Sequence, residues 1–130
     1  MDFYLDEQLP KIIAHALNVL ESHEGINHVF STEDEFGKGI KDVELFDKLK
    51  SVSGILITPD LKMKTRKNEF SLLKKLGATA FMISLKPGSN FERQYQTIIS
   101  KWAEIKKIQN QQGPNSFVCR IKLRGRPEFL

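Results

Sequence analysis

Two short apolar runs, each followed closely by an acidic residue, constrain the fold of this chain more than any other feature. The first run, residues 3–5, ends on Asp6 and Glu7, and the second, residues 54–58, is followed by Asp60. Apolar runs of this length are typical of buried β-strands. A strand holds the residue at its end in a fixed position, as a metal or catalytic site requires. Turns after strands are polar in any case, so each run taken alone favours that simpler interpretation.

Strand-like runs alternate with helical patterns along most of the chain. The predicted strands cover residues 3–5, 26–30, 54–58, 80–85 and 116–123, and the predicted helices cover about 10–22, 42–52, 69–76 and 89–112. This alternation predicts an α/β fold, with an open, mainly parallel sheet, helices on both faces and a C-terminal edge strand. The 130 residues match the size of one ordinary domain, so we expect a single domain over residues 1–130.

Polar segments between and within these elements are predicted to be exposed. Residues 31–41 contain Gly37 and Gly39 and are predicted to form a loop. Residues 61–67 are predicted to form a basic loop. Along the last strand, basic residues alternate with apolar ones and are predicted to give the edge strand a basic face: Arg120, Lys122 and Arg124.

Five acidic residues from separate segments are predicted to meet at one edge of the sheet. Parallel strands all end at the same edge, where ligands bind in such folds, so Asp6, Glu7 and Asp60 lie there. Helices that follow the strands begin at that edge, which adds Asp42 and Glu69. Mutual repulsion among these carboxylates favours a cation between them, and Mg²⁺ or Mn²⁺ suits oxygen ligands. The histidines and the cysteine are too scattered for a zinc site.

Two of these acids also have a structural interpretation. Asp42 stands where the second predicted helix begins, and Asp is a preferred N-cap residue. Glu69 stands near the start of the third predicted helix, where the helix dipole favours an anion.

The composition narrows the class of protein. The formal net charge of +4 is compatible with nucleic acid but not diagnostic of it. A single cysteine excludes an internal disulfide and fits a reducing compartment. No signal peptide is recognisable, and no apolar run approaches the roughly 20 residues that span a bilayer. We therefore expect a cytoplasmic protein that does not insert into a membrane.

The order of the motifs resembles that of the PIN-like nucleases, and in particular of their small VapC-like toxin branch. The first strand is followed by Asp6, and the next helix opens on Asp42. A later strand is followed by Asp60, a basic segment and a helix that carries Glu69. The residues that carry the resemblance lie in 3–10, 42–46, 57–69, 76–81 and 114–117.

This resemblance implies a metal-dependent ribonuclease that acts as the toxin of a toxin–antitoxin pair. By position, Asp6, Asp42 and Asp60 match the metal-centred acids, with Glu69 as a fourth. Many PIN-like domains place another acid two residues after the third one, where this chain has Lys62. The implied partners are an RNA substrate and a cognate antitoxin protein. The sequence leaves open which RNA is cleaved, whether one or two metals bind, and whether the chain forms a homodimer.

The implied chemistry is phosphodiester hydrolysis, in which Mg²⁺ or Mn²⁺ activates water and neutralises charge on the phosphate. Phosphate contacts supply most non-specific affinity for nucleic acids. The residues expected to make them are Lys62, Lys64, Arg66 and Lys67.

Two alternatives remain open. A receiver-like signalling module would use Asp60 as phospho-acceptor beside Asp6 and Glu7, with Ser84 and Lys86 in supporting roles. However, Ser84 and Lys86 come from one strand end, and Asp42 has no role in that arrangement. The other alternative is a PIN-like domain that binds RNA or protein without cleavage.

Overall fold

The computed structural model of the chain describes the backbone of residues 1–60 and 64–130, and the side chains of 1–60 and 67–130. The strands are β1 (Asp2–Leu5), β2 (His28–Ser31), β3 (Ile55–Pro59), β4 (Thr79–Ile83), β5 (Val118–Ile121) and β6 (Glu128–Phe129). The helices are α1 (Lys11–Ser22), α2 (Thr32–Phe36), α3 (Asp42–Ser51), α4 (Lys64–Leu76) and α5 (Phe91–Gln112).

The strands of the described residues form one sheet in the order β2-β1-β3-β4-β5-β6. Neighbouring strands from β2 to β5 are parallel, and β6 pairs antiparallel with β5. The predicted α/β fold with an open, mainly parallel sheet is therefore confirmed. The next strand in sequence, β2, lies on one side of β1, and β3 lies on its other side, so the strand order reverses between β1 and β3. Ligand sites of open α/β sheets lie at such a reversal, outside the carboxyl ends of the strands.

Alternate strand residues face two separate cores, because side chains of a strand point to opposite sides of the sheet. Phe3, Ile57 and Phe81 belong to the core that α1 and α5 cover. Tyr4 and Leu56 belong to the core that α3 and α4 cover. The predicted helices on both faces are thus observed. Tyr4 and Leu56 have even numbers. The same alternation therefore directs Asp6, which follows β1, and Asp60, which follows β3, toward the α3–α4 face.

A glycine at the start of β3 allows β1 and β3 to approach closely. A Cβ atom on Gly54 would lie 2.7 Å from Cε1 of Tyr4 and 3.1 Å from Cδ2 of Leu49. Real Cβ atoms essentially never come as close to another atom as the 2.7 Å to Tyr4, so any side chain here would displace the Tyr4 ring. Gly54 therefore helps β3 to lie beside β1 in the observed register, in which Tyr4 pairs with Leu56.

Three segments differ from the sequence predictions. The expected loop at 31–41 contains helix α2, which Ser31 caps by accepting a hydrogen bond from the Asp34 amide. The expected basic loop at 61–67 is helical from Lys64 onward. The strand expected at the edge, β5, lies inside the sheet, and the C-terminal edge strand is β6. Its two residues are too short a segment to show an alternating pattern.

Candidate active site

The reversal point between β1 and β3 carries the first candidate acid. The backbone amide of Asp6 donates to the carbonyl of Ile57 at 2.9 Å, which continues the β1–β3 ladder one residue beyond β1. The Asp6 residue is only 9% exposed. The strand pair therefore fixes Asp6 at the carboxyl edge, as the sequence predicts, and the structure places it on the α3–α4 face.

A threonine hydroxyl joins two buried carboxylates at this point. Oγ1 of Thr58 lies 2.8 Å from Oδ2 of Asp6 and 3.4 Å from Oε1 of Glu69. A hydroxyl has one proton to donate, and the shorter contact with Asp6 takes the greater share of it. Glu69 is therefore left with a weak hydrogen bond although its residue is only 6% exposed.

Glu69 holds its proton unusually tightly. Burial and, to a lesser extent, the negative charges of Asp6 and Asp42 together raise its pKa from 4.5 to about 7, although the hydrogen bond from the Thr58 hydroxyl lowers it. The alternative that Glu69 merely serves the helix dipole does not hold, because the first turn of α4 contains no acidic residue. A buried carboxyl group with a pKa near neutrality, close to other acids, is typical of functional sites.

Asp6, Asp42 and Glu69 are close enough for their negative charges to affect one another. Burial raises the pKa of Asp6, the hydrogen bond from Thr58 lowers it, and the charge of Asp42 raises it. Asp42 is an exposed residue at the first position of α3. The N-cap of this helix is Lys41, so the N-cap interpretation of Asp42 is wrong. We call Asp6, Asp42 and Glu69 the acidic group.

Glu7 fixes the loop that leads into α3. Both oxygens of its carboxylate accept a hydrogen bond from the Gly39 amide, each at 3.1 Å. Gly37 and Gly39 have φ angles of 92° and 76°, which side-chain-bearing residues rarely adopt. Glu7 thus ties the loop before Asp42 to the end of β1. It is a positioning residue for the acidic group and not one of its members.

Asp60, the remaining predicted site acid, contacts a different set of residues. Its Oδ2 lies 3.0 Å from Nε of Arg120 and accepts a hydrogen bond from the Ser84 hydroxyl at 3.2 Å. Arg120 also donates from Nη1 to Glu128 at 2.7 Å. The charge of Asp42 raises the pKa of both Asp6 and Glu69. The structure therefore groups Asp6 with Asp42 and Glu69, and pairs Asp60 with a cation.

The predicted RNA-binding residues are described only in part. Lys62 lies outside the described residues. Lys64 and Arg66 are placed by their backbone in the first turns of α4, and Lys67 is exposed. The predicted basic face of the last strand is wrong for Arg120, because its guanidinium group is engaged by Asp60 and Glu128.

The acidic group fits a hard divalent cation in its donor chemistry. Carboxylate oxygens are the ligands that Mg²⁺ and Mn²⁺ prefer. The ion pairs of the described residues include neither Asp6 nor Glu69, so their charges lack a cationic partner there. Within the same part of the chain, no three His, Cys, Asp or Glu side chains already converge on a metal position. Asp6, Asp42 and Glu69 are the residues that would supply carboxylate ligands to such a cation.

Sequence reasoning missed Thr58 and Arg120 as contacts of the acids. A signal for Thr58 was present, because a polar residue inside the apolar run of residues 54–58 interrupts a strand that is otherwise buried. Nothing local distinguishes Arg120 from the neighbouring basic residues. Its role depends on which strands lie beside it.

Comparisons with known proteins agree with this architecture. The family of PIN-like domains matches the chain over residues 1–85, which include β1 to β4 and every acid of the candidate site. No curated protein and no solved structure matches the chain. No helix among the described residues is both long and apolar enough to cross a membrane. Since the match covers well over half of the sequence, the chain belongs to the family of PIN-like domains.

Proposed function

We propose that this protein is a metal-dependent endoribonuclease whose active site is the acidic group. The observation that carries the proposal is the pair Asp6 and Glu69, which share the Thr58 hydroxyl at the β1–β3 reversal. The pKa of Glu69 is raised to about 7 there. Repulsion among buried acids is costly unless a cation lies among them. The chain belongs to the family of PIN-like domains, and its resemblance to the PIN-like nucleases supports the same chemistry.

Asp6, Asp42 and Glu69 would hold Mg²⁺ or Mn²⁺, which supplies Lewis acidity and positive charge for the attack of water on a phosphodiester. Above a pH of about 7, Glu69 is ionised and available as a ligand. Asp60, expected from the sequence as one of the three metal-centred acids, stays a proposed ligand, and its ion pair with Arg120 limits how freely it can turn toward a metal. This arrangement favours one metal over two.

The proposed biological role is that of the toxin in a toxin–antitoxin pair in the cytoplasm. The substrate would be RNA, whose phosphates are contacted by Lys62, Lys64, Arg66 and Lys67. The proposed partner is a cognate antitoxin protein. A homodimer is compatible with this role, and ultracentrifugation of the purified chain tests it.

The direct experiment is cleavage of single-stranded RNA in the presence of Mn²⁺. We expect cleavage by the wild type and its loss in Asp6→Asn and Glu69→Gln, each with an unchanged circular dichroism spectrum. Asp47→Asn is a matched control, because Asp47 is an exposed acid on the same helix as Asp42. Equal cleavage by the wild type and Asp6→Asn would assign the activity to a contaminant or to another site.

Binding of RNA without cleavage under these conditions would favour the non-cleaving alternative. The receiver-like alternative has less support, because its phospho-acceptor Asp60 is held by Arg120 and Ser84. Incorporation of phosphate from a small phosphodonor tests it directly.

A further inference from the structure

Two neighbouring cavities lie at the carboxyl edge of the sheet, beside Asp60. The first has a volume of about 370 Å³ and extends from Gln8 and Asp60 to Lys86 and Gln94. The second, of about 240 Å³, continues from Lys86 to Arg93. Residues 86–89 line both cavities, so the two lie on either side of one turn. We call them together the edge cleft.

The two parts of the edge cleft differ in chemistry. Pro59, Leu85 and Pro87 give the first cavity apolar walls, and Gln8 and Gln94 add amide groups that both donate and accept hydrogen bonds. Its volume lies within the roughly 300–1,000 Å³ of small-ligand sites. A nucleoside has the same combination of a flat apolar face and a polar edge.

The second cavity has the lining of an anion site. Its charged residues are Lys86 and Arg93, and no acidic side chain of the described residues lines it. Both residues are exposed, and neither takes part in an ion pair within the described part of the chain. Arg120, by contrast, is neutralised by Asp60 and Glu128. Lys86 and Arg93 therefore keep their charge available for a phosphate.

The turn between the cavities is held by its own hydrogen bonds. The amide of Ser89 donates to the carbonyl of Lys86 at 3.1 Å, and its hydroxyl donates to the same oxygen. The side-chain amide of Gln94 donates to the Ser89 carbonyl at 3.3 Å. Because these bonds fix the backbone, a ligand would meet a site that is already formed.

We propose that the edge cleft binds one nucleotide of single-stranded RNA next to the cleavage position. The base would occupy the cavity between Gln8 and Gln94, and its phosphate would contact Lys86 and Arg93. A base in a duplex is stacked and paired and cannot enter such a cavity, so the cleft selects an unpaired strand. This inference rests on the proposed function, because it assumes that the acidic group is where the bound RNA strand is cleaved.

The test is binding of a short fluorescent single-stranded oligoribonucleotide to the protein in EDTA, measured at several salt concentrations. In Lys86→Ala/Arg93→Ala we expect affinity to fall about tenfold or more and the slope of log affinity against log salt to decrease by about 1.4, the value for two contacts with a single strand. Lys75→Ala/Lys107→Ala removes the same charge from exposed positions near the C-terminal ends of α4 and α5 and should change affinity by less than about threefold.

A second arm tests the nucleoside cavity. Gln8→Ala should reduce the preference among homopolymer oligonucleotides without altering the salt slope, and duplex RNA should bind the wild type more weakly than the single strand. Equal losses in the two double variants, or equal binding of duplex and single strand, would overturn the proposal. Both readouts omit metal and cleavage, so a failure of the edge cleft is distinguishable from a failure of the ribonuclease assignment.

Discussion

Asp60 and Arg120 form an ion pair across an intervening strand, with Nε of Arg120 3.0 Å from Oδ2 of Asp60. Arg120 lies on β5 and Asp60 follows β3, so the guanidinium group reaches over β4. The side chain of Arg120 is 16% exposed and that of Asp60 is 5% exposed. The pair neutralises one of the four predicted site acids and leaves the acidic group without that cation. Asp60 therefore differs from the other site acids in what its charge contributes to stability.

Asp60→Asn should destabilise the protein, because it leaves a largely buried guanidinium group short of one partner. Breaking a buried ion pair costs about 3–5 kcal/mol, and the remaining contact of Arg120 with Glu128 reduces the expected loss to about 1–3 kcal/mol. Urea denaturation at neutral pH measures it. Lys122→Ala removes a half-exposed partner of Glu128 and should change stability by less than about 1 kcal/mol. Unchanged stability of Asp60→Asn would mean that the ion pair contributes nothing to folding.

Asp6→Asn should have the opposite effect in the absence of metal. The charge of Asp6 raises the pKa of Glu69, so its removal relieves repulsion inside the acidic group. We expect a gain of about 1 kcal/mol at neutral pH and a lower pKa for Glu69. Adding Mn²⁺ should stabilise the wild type more than the variant, because a bound ligand stabilises the folded state. Thermal melts with and without Mn²⁺ provide the comparison, and a variant less stable than the wild type in EDTA would contradict it.

The sequence predicts the position of Asp6 because that position depends only on the order of the elements. A strand, a crossover and a parallel strand bring their ends to one edge whatever the details of packing. Contacts with Thr58 and Arg120 depend instead on register and on strand order. Thr58 faces Asp6 because Leu5 pairs with Ile57, and a shift of one residue would turn its hydroxyl to the other face. Such a shift leaves the sequence pattern unchanged, so the pattern cannot specify it.

The same reasoning explains the failure at Arg120. Alternation correctly predicts a strand there, and a strand with alternating basic residues is ordinarily an exposed edge. The short strand β6 covers that edge and brings Glu128 beside Arg120. Two residues carry no periodic signal, so the covering strand and the ion pair that depends on it are visible only in the fold.

Thr58→Val should disturb the acidic group although it preserves the shape of the side chain. The residue is fully buried, and its hydroxyl donates to Asp6. Its removal leaves two buried carboxyl groups with fewer hydrogen bonds, at a cost of about 1–3 kcal/mol, and should raise the pKa of Asp6 and Glu69. Thr58→Ser keeps the hydroxyl and is the matched control. Titration of the carboxyl carbons by NMR reports both pKa values, and identical titrations in Val and Ser variants would exclude a role for the hydroxyl.

Protonation of Glu21 should lower the stability of the protein in acid. Burial raises its pKa, but hydrogen bonds from Asn27 and Lys106 and the charge of Lys106 lower it more, so the net shift is downward. A lowered folded-state pKa gives stability that is present above pH 4.5 and lost as the pH falls through the folded-state value. Glu21→Gln should therefore lose stability at neutral pH and show a shallower acid transition. Lys11→Ala, which breaks an exposed ion pair with Glu33, should leave the acid transition unchanged.

Glu69 should produce the reverse dependence on pH in the metal-free protein. Its pKa is raised from 4.5 to about 7, so the folded state holds this proton more tightly than the unfolded state. The contribution to stability is full below pH 4.5 and is lost as the pH rises to about 7. Each unit of pKa corresponds to ~1.4 kcal/mol, and because solvent screens part of the charge on this group the loss is on the order of 1–3 kcal/mol. Glu69→Gln cannot ionise and should lack this decline, which urea denaturation across the pH range detects.

Binding of Mn²⁺ distinguishes a metal ligand from a carboxyl group that is merely buried. Below a pH of about 7 the metal must displace the proton of Glu69, so affinity for Mn²⁺ should rise with pH up to that value and then level off. Glu69→Gln should bind Mn²⁺ about tenfold or more weakly at high pH and lose this dependence. Glu44→Gln, an exposed acid in the first turn of α3, is the control and should titrate as the wild type does. Matching calorimetric isotherms for the wild type and Glu69→Gln would remove Glu69 from the metal site while leaving its effect on stability intact.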